Sequence, residues 1–570
     1  MKKRLLSVVM IVLLMCTNFT SCKAQVPQVQ NIGSEHFKTI YIPYETDYNA
    51  RVVIKARFAD TKEPISMSQT YSDRLYAKVP IADSQREIEA FETQELEFVD
   101  YDYSYEFHCF EELSRTGVVK GNENGEALPF ANVTRAEATA MLMRLLGLEN
   151  VPSANAVKNF NDVSKNDWFY SVVMSAYNCG IVQGDSDTTF SPERNVTREE
   201  VTVMAARAIK YAGLGYPGSS NINAKDLNKI SHWAKDAYAI IGNYVNSDYD
   251  DTDPENPVRI LDPQKAATRY DVASLFYNIV LRCCVYPSPS AEQFGFDKQM
   301  PVIDGSTSTY PFTQVVYDSL FYNGYVHPSK PASHSKSHTS YQRLINGEID
   351  MMFASVYPAS DILQMAKQKG VELELIPIAY DAMIFFTNAD NPATGLTSEQ
   401  ISNIYVNNAY QNWNQVGGTN ALLYPYCRNN DSGSHAQMEK HFLNGSEIHK
   451  DIRAESTSIA MASVLTDVID AKTTDPLGYA LGYSIYYYYH NADVVLGTKQ
   501  HLKLLSIDGV YPNDDTIADG SYPLSNNTYV VIRKDTPENS PARKMAQFML
   551  TEQGQQCVEG AGFGKLKIIE

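Results

Sequence analysis

The stretch YCRNNDSGSHAQME, Tyr426 to Glu439, places an arginine, a Ser-Gly-Ser turn and a helix start within one loop. Ser434 followed by Gln437 has the spacing of a capping box, which predicts a helix from about His435. The first amides of such a helix lack partners and carry roughly half a positive charge. Gly433 frees the preceding backbone to turn its own N–H groups the same way. Arg428 adds a planar fork of charged donors. The chemistry this favours is capture of an oxygen-rich anion: phosphate, sulfate or a carboxylate. An ordinary capped surface helix beside an arginine fits the same short pattern, so the rest of the chain has to decide.

Catalysis finds less support. His435 follows Ser434, but a helix N-terminus lowers imidazole basicity and no third group orients the ring. The sequence offers no His-Cys-Asp set with metal-ligand spacing and no Gly-rich nucleotide loop, so no enzyme activity, metal or cofactor is expected.

At 570 residues the chain exceeds what one core organises, and several domains are expected. With 44% hydrophobic and 20% charged residues it reads as globular, and a net charge of −19 without any Lys/Arg run argues against nucleic acid as a partner. The 38 tyrosines supply apolar bodies with polar tips, as exported and sugar-contacting surfaces do. Cys109, Cys179, Cys283, Cys284, Cys427 and Cys557 lack metal-ligand spacing. Disulfides and free buried thiols are both open for them.

The N-terminus opens with Lys2, Lys3 and Arg4, continues apolar from Leu5 to Met15, and ends in small and polar residues. Residues 1–24 read as a secretory signal, too short for a comfortable membrane span. FTSC, Phe19 to Cys22, resembles the lipobox of bacterial lipoproteins, which makes Cys22 the lipidation site and a lipid the tie to a membrane. Cleavage near Ala24 is the other reading. Either way the protein is expected outside the cell.

From residue 26 to 100, apolar and polar residues alternate, as in KTIYIPYE and RLYAKVPI, so a small β-rich domain is expected. Three segments then share one plan of helix, turn, polar loop and second helix: residues 101–148, 158–214 and 224–284. Thr134, Thr197 and Thr268 each precede an acid by three positions, Glu137, Glu200 and Asp271, which is capping-box spacing. Three helix pairs can bury a shared core that one cannot.

In the second repeat Phe160, Asp162, Val163, Trp168, the glycine turn at 180–184, Phe190, Pro192 and Thr197 to Glu200 carry the marks of S-layer homology domains, and the tandem resembles three of them. The resemblance implies a secondary cell-wall polysaccharide as partner, with Arg135, Arg198 and Arg269 as contacts to an acidic sugar substituent. The third repeat departs from the pattern. NYVNS replaces the glycine turn and an acidic insertion, DYDDTDPENP, follows, which predicts an altered or non-binding groove.

VYPSPSAEQFGFD, residues 285–297, reads as a linker. Beyond it strand and helix patterns alternate, as in an α/β fold with ligands at strand C-terminal ends. From about residue 298 to 570, DGSTSTYPF, INGEIDMMFAS, DNPATGLTSEQ, RNNDSGS and YVVIRKDTPENSPARKMAQFML follow in the order of the phosphate-binding branch of periplasmic-type solute-binding proteins, which feed ABC importers, and the segment resembles that branch. The resemblance implies two α/β lobes that close as a hinge, an importer permease as partner, and anion contacts at Ser308, Thr309, Tyr310, Ser337, Arg428, Asn430, Ser432, Gly433 and Ser434. The family keeps an acid where Asn430 stands and another where Val356 stands. A neutral amide and an apolar side chain cannot apply the same proton test to an anion.

The fold class expected is therefore multidomain: a β-rich N-terminal domain, a three-repeat α-helical bundle and a C-terminal two-lobed α/β domain. The function expected is capture of phosphate or a related small oxyanion at the cell surface for uptake. A structural or sensory surface protein with a degenerate ligand site is the other reading.

Overall fold

The computed structural model describes residues 35–43, 53–71, 74–93, 98–100, 108–149, 159–216, 218, 222–250, 252, 257–430, 432–474 and 477–566. The secretory signal, Cys22 and Asp431 lie outside them. Among the described residues no helix is long and apolar enough to cross a membrane, and the six cysteines are free thiols.

The N-terminal region is β-rich, as its alternation predicts. Phe37–Pro43, Arg74–Pro80 and Ser68–Tyr71 form one antiparallel sheet, and Pro64–Ile65, Ile54–Phe58 and Ile88–Glu92 form another. Leu75, Ala77 and Val79 point into a core between them, while Tyr76 on the opposite face of the same strand joins the core of the helical region. This strand is covered on both sides.

Each helical repeat supplies a short helix and a longer one: His108–Ser114 with Arg135–Leu146, Tyr170–Asn178 with Arg198–Tyr211, and Lys235–Ile241 with Arg269–Cys283. All three predicted capping boxes are present: each threonine accepts the backbone N–H three residues on, and the acid reaches back to the threonine's own N–H. The turns also close a ring. Arg135 N donates to Arg194 O (2.9 Å), Arg198 N to Lys265 O (3.0 Å) and Arg269 N to Ala131 O (2.9 Å), so each repeat satisfies the helix start of another. The third repeat keeps this fold, and its insertion begins a two-stranded ribbon, Asp248–Asp250 with Val258–Ile260.

Residues 285–297 are not the linker that their Pro and Ser content predicts. Tyr286–Pro287 pairs with Phe321–Tyr322, and Pro289–Phe294 is a helix capped by Ser288, with Pro289 in its first turn where the missing N–H costs nothing. Tyr286 stacks between Tyr76 (5.3 Å) and Tyr322 (6.3 Å), Arg74 pairs with Glu292 (2.7 Å), and Asn323 Nδ2 donates to Leu281 O and Cys284 O (2.9 Å each). Burial of this tyrosine and the contacts around it fix what composition alone reads as flexible.

The C-terminal region is a mixed sheet in the order Ile303–Gly305, Met351–Ala354, Ser525–Arg533, Leu373–Asn388, Gly478–Ile485, Leu422–Pro425. In the first lobe, strand residues alternate between two cores. Met351, Phe353, Val530 and Ile532 face one, and Met352, Ala354, Tyr529 and Val531 the other, with helices over both faces. The second lobe has its own core, from Ala382 to Leu524. Leu373–Asn388 and Ser525–Arg533 pair antiparallel and serve both lobes, with a register shift between Pro377 and Ala379 near the crossing.

Candidate functional site

The sequence places its ligand loops at the ends of strands, and in the structure they meet between the lobes around a cavity of about 220 Å³. The first lobe contributes Ser306, Thr307, Ser308, Lys336, Ser337 and Ser355; the second contributes Arg428, Asn429, Ser432, Gly433 and Ser434, with Ile459, Ala460 and Ile485 as apolar wall. Seven of these side chains are hydroxyls, each able to donate or accept by rotating.

Asp304 organises the first-lobe wall. Buried at the end of its strand, it accepts from Ser335 N (2.8 Å), Ser335 Oγ (2.6 Å) and the Arg343 guanidinium, which pins the loop leading to Ser337. Ser308 Oγ lies 2.9 Å from Ser355 Oγ and 3.0 Å from Ser306 Oγ, and Asn526 Nδ2 from the crossing strand donates to Ser355 O (2.8 Å). The wall is thus tied to the hinge.

Arg428 sits on the short strand Cys427–Arg428, which pairs in parallel with Thr457–Ser458. It is 5% exposed. Its Nε donates to Ser458 O (3.1 Å), its Nη2 to Ile459 O (3.3 Å), and its backbone N–H to Tyr483 Oη (2.9 Å). Among the described residues it has no carboxylate partner, and burial pushes its pKa below the ordinary range. The cavity therefore holds a desolvated cation held by carbonyl dipoles, with no counter-charge among the described residues.

The helix after it starts two residues earlier than the capping-box spacing predicts. Ser432 is the cap, accepting from His435 N (3.1 Å), and the helix is Gly433–Met438. Ser434 and Gln437 instead fall inside the first turns, buried, with Ser434 Oγ and both Gln437 side-chain polar atoms unpartnered. Ser434, at 0% exposure, is thus a buried hydroxyl on the cavity wall. A Cβ on Gly433 would stand 3.1 Å from Ser337 Oγ and from a Val356 methyl of the opposite lobe, so the absence of a side chain lets the lobes approach. Burial, with Arg453 alongside, pulls His435 down to about 4, which keeps it neutral at physiological pH.

Of the residues named from sequence, Ser308, Ser337, Arg428, Ser432, Gly433 and Ser434 come together on the cavity. Thr309 lies beneath it, fully buried, donating to Phe353 O (2.8 Å), and Tyr310 Oη turns away to Pro331 O (3.0 Å). Asn430 faces a neighbouring cleft with His435 and Arg453, and Asn429, its Oδ1 buried and unpartnered, takes the place on the cavity. Ser306, Thr307, Lys336 and Ser355 were missed. Ser355 closes the strand run of INGEIDMMFAS and was legible there, whereas Lys336 stands in HSKSH, where the register is loose.

The three arginines of the helical repeats are placed differently. Arg135 stacks over Phe190 (4.6 Å), pairs with Asp185 and Glu200, and lines a groove of about 160 Å³ with Gln183, Arg207 and Trp233. Arg198 is 4% exposed and bound by Asp271 and Asp248 (3.2 Å each), the latter from the acidic insertion. Arg269 donates to Ala127 O (2.7 Å) and Lys120 O (2.8 Å). The guanidiniums of Arg135 and Arg198 are thus both held by protein carboxylates, and Arg135 differs in lying on an open groove beside Trp233.

Comparison with known proteins agrees with this division. Residues 298–553 match the model of the PBP superfamily domain, and residues 110–139 and 159–202 that of the S-layer homology domain. Phosphate-binding protein PstS of Borreliella burgdorferi is 27% identical over 224 residues, which are 39% of this chain and 76% of that protein. An amylopullulanase of Thermoanaerobacterium thermosulfurigenes is 32% identical over 173 residues, 30% of this chain, but the match spans only 9% of the amylopullulanase. An ABC-type phosphate transport receptor of known structure from Vibrio cholerae is 21% identical, with 46% of this chain and 98% of that one covered at a TM-score of 0.36. Two family models thus match separate parts of the chain, the S-layer homology domain ahead of the PBP superfamily domain.

Proposed function

We propose that the protein is a wall-held solute-binding protein that captures phosphate or a related small oxyanion between its two C-terminal lobes, outside a bacterial cell. The observation that carries this is Arg428: a buried guanidinium whose partners among the described residues are carbonyls, on a cavity lined by seven hydroxyls. Burying a charge without a partner is costly, and a bound anion removes that cost while accepting the hydroxyl protons. The likeness to PstS supports phosphate as the first anion to try. The helical half is assigned to secondary cell-wall polysaccharide through the groove at Arg135, where the exposed Trp233 offers a sugar platform. Delivery to an ABC importer permease would complete uptake, and a lipid on Cys22 would add a second tether. No catalytic step is assigned.

Isothermal titration of the purified chain with phosphate, sulfate and acetate tests the anion site. Heat with at least one tetrahedral oxyanion is expected, and none with any of them refutes it. Co-sedimentation with purified cell walls tests the anchor, with loss of binding to walls stripped of their secondary polysaccharide as the expected result.

A further inference from the structure

The cavity carries a second cation, which the sequence reading did not single out. Lys336 lines it from the first lobe and Arg428 from the second. Among the described residues Lys336 Nζ makes neither an ion pair nor a hydrogen bond, and no carboxylate lines the cavity. The backbone of Lys336 is in a conformation that L-residues avoid, φ +83° and ψ 156°, while its carbonyl accepts from Ser340 N (2.9 Å) to start the helix Ser337–Asn346. Strain of this kind persists only where surrounding structure imposes it, and it collects at ligand sites. Here it sets a lysine, rather than the glycine the conformation favours, at the edge of the anion cavity.

Resting on the anion-binding reading above, we infer that this site selects its ligand by charge and not by protonation: Lys336 and Arg428, one from each lobe, receive the two negative charges of a tetrahedral dianion, so that sulfate is accepted alongside hydrogen phosphate. Lys336, exposed at the rim, and Arg428, buried in the wall, line one cavity from opposite lobes, and a dianion gives each cation a charge to meet, whereas a monoanion meets one of the two. Rejecting a fully deprotonated anion requires a repulsive or newly orphaned group against it. The described wall offers neither. Its hydroxyls rotate to donate, and the Asn429 Oδ1 that would accept the proton of hydrogen phosphate is already unpartnered in the free protein, so sulfate adds no new orphan.

The test is competition titration on the full chain with sodium phosphate, sulfate and nitrate. Sulfate is expected to bind within about tenfold of phosphate at about pH 8, and nitrate at least about a hundredfold more weakly. Between about pH 6 and about pH 8 the affinity for total phosphate should rise as the dianion forms, while that for sulfate stays flat. Lys336→Gln should weaken both dianions by about tenfold or more, and Lys336→Arg should restore them, with unfolding midpoints unchanged in both. Sulfate more than about a hundredfold weaker than phosphate overturns the inference while leaving the anion site in place. So does a phosphate preference that disappears in Asp431→Asn, since that would identify a carboxylate proton acceptor in the loop. Absence of heat with every anion refutes the site itself, and the inference with it.

Discussion

Arg428 and Arg198 are buried to nearly the same degree, 5% and 4% exposed, yet their surroundings are opposite. Arg198 stands between two repeats with Asp271 and Asp248 on its guanidinium, and its partners come from the longer helix of the third repeat and the acidic insertion. Arg428 stands between two lobes, and among the described residues its partners are carbonyls and a tyrosine hydroxyl. The difference separates a charge that completes a fold from one that waits for a ligand. Burial by itself does not mark a site; burial without a counter-charge does.

The largest expected effect breaks the fold-completing side of this pair. Arg198→Ala leaves Asp271 buried without its cation and should cost about 3–5 kcal/mol of stability by chemical denaturation, with anion affinity unchanged in the folded fraction. A loss below about 1 kcal/mol would mean that the acids and Arg198 contribute little together.

Next comes the hinge. Asp381 is fully buried on the crossing strand, opposite Asn526, with Oδ2 unpartnered, and burial pushes its pKa up to about 7. The folded state then holds a proton that the unfolded state releases near the ordinary carboxylate value, so stability should fall as pH rises from about 4 through about 7, by a few kcal/mol. Asp381→Asn should flatten that slope in unfolding measured against pH. An unaltered slope would move its origin elsewhere.

Smaller is the effect at the lobe contact. Gly433→Ala places a methyl against Ser337 and Val356, and overpacking of this kind costs about 1–3 kcal/mol. Because the contact crosses the cleft, the cost should appear as roughly tenfold weaker anion binding with an unchanged unfolding midpoint. The reverse pattern would place the contact in the resting fold rather than in closure. Smallest is the stability change of Arg428→Ala, within about 1 kcal/mol of zero, because lost hydrogen bonds to carbonyls are offset by removal of an uncompensated charge.

The sequence made the architecture legible because helix caps and strand alternation are local signals: Thr134, Thr197 and Thr268 cap as their spacing predicts, and 373–388 is one long strand. It also indicated Arg428 and most of the hydroxyls around it. It did not separate Arg198 from Arg428, since the acids that neutralise Arg198 lie 50 and 73 positions away and only the folded chain brings them close. It also pointed to Ser434 as the cap where Ser432 is, and to Asn430 where Asn429 lies on the cavity. Neighbouring residues in a tight loop point to opposite sides, and a shift of one or two positions exchanges cavity for surface. Tyr286 shows the same limit: Pro and Ser around it read as linker, while its burial depends on Tyr76 and Tyr322, far away in sequence.

The most direct test of the account is isothermal titration of phosphate into the full chain and into Arg428→Ala, with both shown by their unfolding midpoints to be folded. The account predicts saturable heat for the unmodified chain and a loss of at least about a hundredfold in affinity for the variant, about 3 kcal/mol. Equal affinity in the two proteins would contradict it.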